Sequence, residues 1–596
     1  MKINAFYYEK NTQRSLDMLK LRNEYPRPHF RRDNWLSLNG IWEFEFDDNK
    51  DGELRGLHYG KTKLAKEINV PFTYQYPESG IGDRTFHDTL WYKKSFIYDK
   101  AEKDVILGFN ASDYVTDVWV NGHHAATHQG GFAPFTVDIT KYLVEGENSI
   151  VVKCYDPLDP TIPRGKQSWL NDPFSCWYVP NSGIWQSVWI DYVGEDSVED
   201  FSIIPDIDTN SFSGEIKLRN ATADLIEIKV YYDNKMIKRQ MFSPDGKYTR
   251  YSVNMMEINF VDEVTYWAPE HPNLYYVDIN LYSHDVLLDS VHTRFGMRKI
   301  SVSDDGKILL NNKPLYQRLI LDQGYWKDSG LTPPSIEDIR KDVELTKNMG
   351  FNGARKHQKF EDPYYYYYAD ELGLLTWCEM PSSYNFNSDE VSYVTKEWQE
   401  IVNTAKKFSS IITYVPINES WGIRKALVCK DQQNFAKSLY YLTKSIDSSR
   451  LVSTNDGWEN MSDSDILAIH DYASLGRELK SRYNDSTYDD GFQTFRKVLA
   501  NGNPYLGQPV LLSEFGGIMF EKDQHNGNWG YNSAAKNDDE FFSRLKELID
   551  GIYEADFQGF CYTQLTDVQQ EVNGLLDSEH NPKIDVEKVR RVIEKW

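Results

Sequence analysis

Cysteine is scarce and scattered in this chain. Five residues in 596 (Cys154, Cys176, Cys378, Cys429 and Cys561) make an odd number, and no two form a C-x-x-C pair. That excludes a disulfide framework and a cysteine zinc site, and fits a reducing compartment. Cys378 and Cys561 fall in apolar strand-like runs, where a thiol behaves as a small buried hydrophobe. Long apolar runs are missing as well. None reaches membrane-spanning length, and the chain opens MKINAFYYEKNTQRS without the apolar core of a signal peptide. A cytoplasmic protein is expected. Positive charge is in deficit: 66 Lys and Arg against 90 Asp and Glu give a formal charge of −24. Nucleic acid and anionic membrane are thereby excluded as partners, since both would be repelled. There is no Gly-rich phosphate loop, no H-E-x-x-H, no serine or cysteine in a nucleophile elbow, and no short repeat of fixed period.

Aromatic residues are plentiful, with 40 Tyr and 16 Trp in a chain that is 14% aromatic and 40% hydrophobic. This describes an ordered globular protein, and its length calls for three or four domains. Aromatics suit flat amphipathic ligands such as sugar rings, and they serve equally as strand and core residues of all-β domains.

Residues 1–195 read as antiparallel β. GIWEFEF (Gly40–Phe46), LWYKKSF (Leu90–Phe96), DVILGFN (Asp104–Asn110) and SIVVKCY (Ser149–Tyr155) are short β-rich runs separated by turn signals. Asn121-Gly122 between two such runs is a hairpin signal. The spacing predicts a jelly-roll β-sandwich. Residues 196–300 carry further strands, of a length that suits an immunoglobulin-like β-sandwich, with Trp267–Pro272 as a rigid loop. From 301 to 596 strand and helix alternate. Ser335 with Asp338 opens a helix whose Ile336, Ile339 and Val343 face inward, ended by Gly350. Pro363 starts and Gly373 ends an amphipathic helix through the five tyrosines Tyr364–Tyr368. Roughly 290 residues of alternation match an eight-stranded (β/α)8 TIM barrel.

Within that barrel, IITYVPINESWG (Ile411–Gly422) is a buried strand that Pro416 ends, leaving Asn418 and Glu419 at its C-terminal mouth. PVLLSEFGG (Pro509–Gly517) places Glu514 the same way 95 residues later. Barrel enzymes keep their chemistry at that end of their strands. Other strand ends offer Arg355, His357, Glu379, Asn455, Asp456, Trp458, His470, Asp471, Tyr472 and Tyr562. Two carboxylates from different strands, amid aromatics, are what glycoside hydrolysis requires: one protonated to donate to the leaving oxygen, one ionised to attack the anomeric carbon. Glu419 and Glu514 are expected to face each other across a sugar.

The chain resembles the family 2 glycoside hydrolases, the family of the β-galactosidases and β-glucuronidases, over essentially its whole length. The resemblance rests on SLNGIWEF (Ser37–Phe44), VWVNG (Val118–Gly122), SGIWQSVWI (Ser182–Ile190), WAPEHPNLY (Trp267–Tyr275), FGMRKI (Phe295–Ile300), Asn352 with Arg355 and His357, DELGLL (Asp370–Leu375), and the N-E and SEFG phrases. It implies an exo-acting retaining hydrolase that removes terminal β-linked sugars, β-galactosides first. Glu514 would be the nucleophile and Glu419 the acid that becomes base, their carboxyls ~5–5.5 Å apart. Arg355 would hold Glu514 ionised, Tyr472 or Tyr562 would donate to it, and Asn418 would bind the 2-hydroxyl. His357 would touch a sugar hydroxyl or serve as a core histidine. Trp458 and Trp529 would stack on sugar or aglycone, unless Trp529 plugs its own loop. Where family members carry R-G-V-N-x-H-E this chain reads RLILDQG (Arg318–Gly324), so Asp322 and Gln323 are expected at the sugar. That departure opens a furanosidase or arabinosidase as an alternative. The N-K-K-G phrase that binds a uronate is missing, which weighs against a β-glucuronidase, and a non-catalytic carbohydrate-binding protein is the remaining alternative. No metal or other cofactor is expected; an oligosaccharide or glycoside is the expected partner, with a homo-oligomer left open.

Overall fold

In a computed structural model, residues 22–99, 104–170, 172–256, 264–483, 496–520 and 527–595 are described; the opening MKINAFYYEKNTQRS lies outside them. The N-terminal part is a sandwich of two antiparallel sheets. One has four strands in the order Trp35–Ser37, Val188–Val193, Asp104–Phe109, Phe135–Asp138. The other has six: Lys66–Val70, Gly40–Phe46, Thr89–Tyr98, Gly146–Tyr155, Val115–Val120, His123–Gln129. Alternation explains the pairing. Phe44, Tyr92, Val118 and Val152 of the second sheet and Leu107 and Ile190 of the first are buried in one core, each such side chain contributing ~1.5–3 kcal/mol. Asn121 (φ 51°) and Gly122 (φ 81°) form the tight turn between Val115–Val120 and His123–Gln129, the left-handed conformation that Asn-Gly favours.

A second sandwich packs Ser211–Leu218 and its neighbours against a sheet ordered Lys235–Phe242, Leu225–Tyr232, Tyr275–Ser283, Val286–Phe295, around Phe212, Ile216, Ile228 and Ile279. Trp267 and Ala268 pair with His271 and Pro272. The fully buried Trp267 indole donates to the Asp370 carbonyl, 2.7 Å away, fastening this passage to the third unit.

That unit is a barrel of eight parallel strands: β1 (Gln317–Asp322), β2 (Gly353–Lys356), β3 (Leu375–Glu379), β4 (Ile411–Val415), β5 (Leu451–Val452), β6 (Leu467–His470), β7 (Val510–Gly516) and β8 (Gly559–Thr563). The ladder runs unbroken from β5 through β1 and β8 to β6. Between β5 and β6 the wall is closed by Asp465 instead. Its N–H donates to the Val452 carbonyl and its carboxylate accepts from the Val452 N–H, both at 2.9 Å. The helices follow their sequence signals. α1 (Ile336–Asn348) is capped by the Ser335 hydroxyl, which accepts from Asp338 N–H; α2 (Pro363–Leu372) runs from Asp362 to Gly373 and buries Tyr365, Tyr366 and Tyr368. α3 (Ser388–Ala405) follows β3 and packs against the next helix, Lys430–Ile446. Among the described residues no helix is long and apolar enough to cross a membrane.

Candidate active site

The site is built on strand ends. Beyond β4, Pro416 stops the ladder and the chain turns through Glu419 (φ 52°) and Ser420 (φ 55°). Non-glycine residues rarely occupy that region, and neighbouring groups must hold them there. Glu419 N–H donates to the Asp456 carbonyl (2.8 Å), Ser420 N–H to the Asn455 side chain (2.9 Å), and the Ser420 hydroxyl to Glu459 (2.9 Å). The segment after β5 thus fixes the acid after β4. On β7, Glu514 lies in register with His470 of β6. Gly516 follows at φ 87°, where a side chain would strike the Tyr562 ring.

The two carboxylates meet. An oxygen of Glu419, a ring nitrogen of His470 and an oxygen of Glu514 all lie within 4.8 Å of one another. Glu514 accepts from the Tyr472 hydroxyl (2.5 Å) and from Arg355 (3.1 Å). The fully buried Arg355 guanidinium also pairs with Glu379 and Asp456 and donates to the Asn418 carbonyl oxygen at 2.6 Å. With that oxygen engaged, the Asn418 amide nitrogen points the other way and has no partner among the described residues. His357 sits on Glu379 at 2.9 Å. Burial holds its pKa well below the ordinary value, so it is neutral. Burial also pushes Glu379 up, to about 7, despite Arg355.

His470 bridges two acids, with Nδ1 2.9 Å from Glu419 and Nε2 2.7 Å from Asp456. Burial alone would lower its pKa, but Glu514, Asp456 and Glu419 together raise it to about 9. Conversely, Glu419 would be raised by burial and is drawn down to about 2 by His470 and Lys166. The convergence of Glu419, His470 and Glu514 is that of a hydrogen-bonded couple beside a carboxylate. Arg355 lies 3.1 Å from both Glu514 and His470, so a dication placed there would face a fixed cation.

Other expected residues fall elsewhere. Asp322 is engaged with its own loop: its carboxylate accepts from Lys356 (2.8 Å) and from Gly324 N–H, and the residue is 2% exposed. Gln323 is likewise buried and donates to Gln564. Arg355, expected to hold Glu514 ionised, is fully buried and donates to that carboxylate. Of the two tyrosines, Tyr472 reaches Glu514, while Tyr562 is buried against Phe515 and Gly516. Trp458 donates to the Glu419 carbonyl (3.2 Å) and stands 5.6 Å from the His470 ring. Trp529 donates to the Ser175 carbonyl and lies edge-on to Tyr531, which stacks on Tyr472 at 3.9 Å.

What sequence reasoning missed comes from the first sandwich. Its residues 157–170 and 172–181 reach the barrel mouth, where Arg164 and Gly165 N–H both donate to the Ser382 carbonyl. Gly165 (φ 59°) has no room for a side chain over Gln358. The crossing brings Trp177 to 5.2 Å from Trp421 and 5.6 Å from Tyr384, an aromatic wall beside Glu419. It also brings Lys166, which has no carboxylate within 4 Å among the described residues. Its ammonium lies 5.9 Å from the Trp177 ring. Burial works against its charge, but the carboxylates of Glu571 and Glu419 hold it protonated. Lys166 lies 253 residues before Glu419, and nothing in their spacing linked the two.

Three family models cover nearly the whole chain: the sugar binding domain of glycosyl hydrolases family 2 over residues 36–190, glycosyl hydrolases family 2 over 197–298, and the TIM barrel domain of that family over 300–596. A putative β-glucuronidase of Formosa agariphila is 27% identical over 366 residues, which cover 60% of this chain and 43% of that protein. A β-galactosidase of Thermoanaerobacter pseudethanolicus is 26% identical over 437 residues, 70% of this chain and 54% of that one. The chain therefore matches about half the length of these relatives. The crystal structure of Ruminococcus gnavus β-glucuronidase has the same fold, with a TM-score of 0.76 at 18% identity, covering 97% of this chain and all of that one.

Proposed function

From the premise that the chain belongs to family 2 of the glycosyl hydrolases, we propose that it removes terminal β-linked sugars by double displacement. One observation carries the reading: Glu419 and Glu514, from different strands, bring oxygens within 4.8 Å of each other. That approach lets both acids reach one anomeric centre, as a retaining pair, its carboxyls ~5–5.5 Å apart, requires. Glu514, held by Arg355 and Tyr472, attacks the anomeric carbon. The bond to the leaving oxygen breaks as that oxygen takes a proton from Glu419. Water then attacks the glycosyl-enzyme, giving its proton to Glu419 and freeing Glu514. The unpartnered Asn418 amide suits the 2-hydroxyl, His357 a neighbouring hydroxyl, and the wall of Trp177, Tyr384 and Trp421 the leaving group. The five unpaired cysteines favour a reducing compartment for this work.

The sugar has two readings. A neutral β-galactoside is the first. Lys166 favours a second, a terminal sugar bearing an anionic group, since a buried ammonium without a paired carboxylate is a ready counter-ion. The motive for a furanoside weakens at Asp322, which is bound to Lys356 and Gly324, although Gln323 spends only its amide nitrogen, on Gln564, and its oxygen has no partner among the described residues. A panel of nitrophenyl galactosides, glucuronides and arabinofuranosides separates these. The anionic reading predicts that Lys166→Met lowers the preference for glucuronide over galactoside at least tenfold. A 2-deoxy-2-fluoro glycoside of the preferred sugar is expected to inactivate the enzyme and mass-label Glu514. Turnover without any label on the peptide spanning 510–517 would reject the double displacement through that residue.

A further inference from the structure

Three buried acids, Glu379, Asp456 and Glu514, pair with Arg355, and a fourth, Glu419, joins them through His470; their side-chain exposures are 0, 0, 4 and 18%. One guanidinium cannot balance four carboxylates out of water, so the cluster must hold protons. His470 is where geometry puts one. Each imidazole nitrogen lies at hydrogen-bond distance from a carboxylate oxygen, Nδ1 from Glu419 and Nε2 from Asp456. A neutral ring carries one N–H, and its bare nitrogen would set a lone pair against a carboxylate lone pair. The imidazolium alone satisfies both contacts. Arg355 also stands 3.1 Å from Nε2 and, able only to donate, would favour a bare nitrogen there; the shorter 2.7 Å contact to the Asp456 carboxylate outweighs it and takes the Nε2 proton.

We propose that His470 is a positioning residue that holds, in the free enzyme, the proton Glu419 delivers to the leaving oxygen, and that the charge on Glu514 times its release. The inference rests on the double-displacement reading above. The groups facing His470 are Glu419 beyond β4, Asp456 beyond β5, Arg355 of β2 and Glu514 of β7, whose oxygen is 3.5 Å from Nδ1. Lys166 acts at longer range, on Glu419. While Glu514 is a carboxylate, it favours the imidazolium. When it bonds to the anomeric carbon its charge is lost, and the ring's hold on the proton falls just as the leaving oxygen needs one. The Nδ1 proton passes to Glu419, which at 18% exposure is the acid able to swing outward, and on to that oxygen. The balance closes. His470 imidazolium, Glu419 carboxylate and Glu514 carboxylate (net −1) become neutral His470, Glu419 carboxylate and a glycosyl ester (net −1). In the second half, water gives hydroxide to the anomeric carbon and its proton, through Glu419, to His470, while the Glu514 carboxylate returns.

Two measurements test this. ¹⁵N NMR of histidine-labelled enzyme, with the His470 signals assigned from their loss in His470→Asn, is expected to show an imidazolium at pH 7.5 in the free enzyme. After trapping by a 2-fluoro glycoside at Glu514, the same pH should show a neutral ring. An unchanged ring after trapping overturns the inference and leaves the hydrolase reading intact; failure of any glycoside to turn over or trap overturns both. Kinetically, His470→Asn should move the alkaline limb of kcat/KM at least one pH unit towards acid. It should slow phenyl glycosides ~10²-fold, the size of general-acid assistance, and dinitrophenyl glycosides, which need no proton, less than tenfold. Equal losses on both substrates with an unmoved limb would make His470 merely structural.

Discussion

Two buried charge clusters lie side by side at the C-terminal ends of adjacent barrel strands, and they differ in balance. Behind β1 and β2, Lys356 pairs with Asp322 (2.8 Å) and Glu361 (2.7 Å), and Lys359 with Glu361 (2.8 Å). Two cations meet two anions, all at most 3% exposed on their side chains, and every charge is spent on the loop they hold. Across β2, Arg355 faces three acids and His470 links a fourth, Glu419, through which the surplus opens onto an aromatic-lined mouth. Consecutive residues, Arg355 and Lys356, point to opposite faces of one strand and so serve opposite ends. A closed, neutral cluster is scaffold; a surplus of buried acid is strain kept for chemistry.

The strongest way to break that comparison is to remove one charge from each side. Glu514→Gln is expected to abolish hydrolysis, by ~10⁴-fold or more as removal of a covalent nucleophile does elsewhere. It should leave the enzyme folded and at least as stable, because it relieves surplus negative charge. Lys356→Met should do the reverse. Stripping one cation from a balanced buried cluster costs ~3–5 kcal/mol, visible in denaturant unfolding, while turnover per folded molecule falls far less than in Glu514→Gln. If Glu514→Gln unfolds the protein, or Lys356→Met silences it without loss of stability, the two clusters have been assigned the wrong way round.

This division explains how much was legible beforehand. Strand grammar and turn residues exposed the sandwiches and the barrel, since Asn121-Gly122, Ser335 and Gly373 act through local backbone geometry alone. Glu419 and Glu514 were legible because a β-run that stops at an acid is a local pattern. Asp322 fits the same pattern and misled, for its fate is decided by Lys356 across the sheet, and strand-end spacing is blind to the partner. His470 was visible as a rim residue, but its bridge from Glu419 to Asp456 depends on three strands closing together. Lys166 and Trp177 were beyond reach: they arrive on a loop of another sandwich, whose path only the assembled molecule defines.

The finest discrimination between the clusters is in the sign of their pH dependence. Burial raises the Glu379 pKa to about 7 against an ordinary carboxylate of 4.5. Its folded form binds the proton more tightly, so its contribution is fully present below pH ~4.5 and is lost as pH rises through 7. Glu361 has the opposite sign. Burial would raise it, but Lys356 and Lys359 outweigh burial and lower it, so its contribution is present above pH ~4.5 and lost as pH falls. Glu379→Gln should therefore flatten the neutral-to-alkaline decline in unfolding free energy, by on the order of 2–3 kcal/mol between pH 5 and 8. Glu361→Gln should leave that side alone and flatten the acid decline instead. Denaturant unfolding of both variants across pH 3–9 checks this. If both flatten the same limb, the surplus in the second cluster is carried by ions paired outside it, and the contrast between balanced and unbalanced clusters loses its basis.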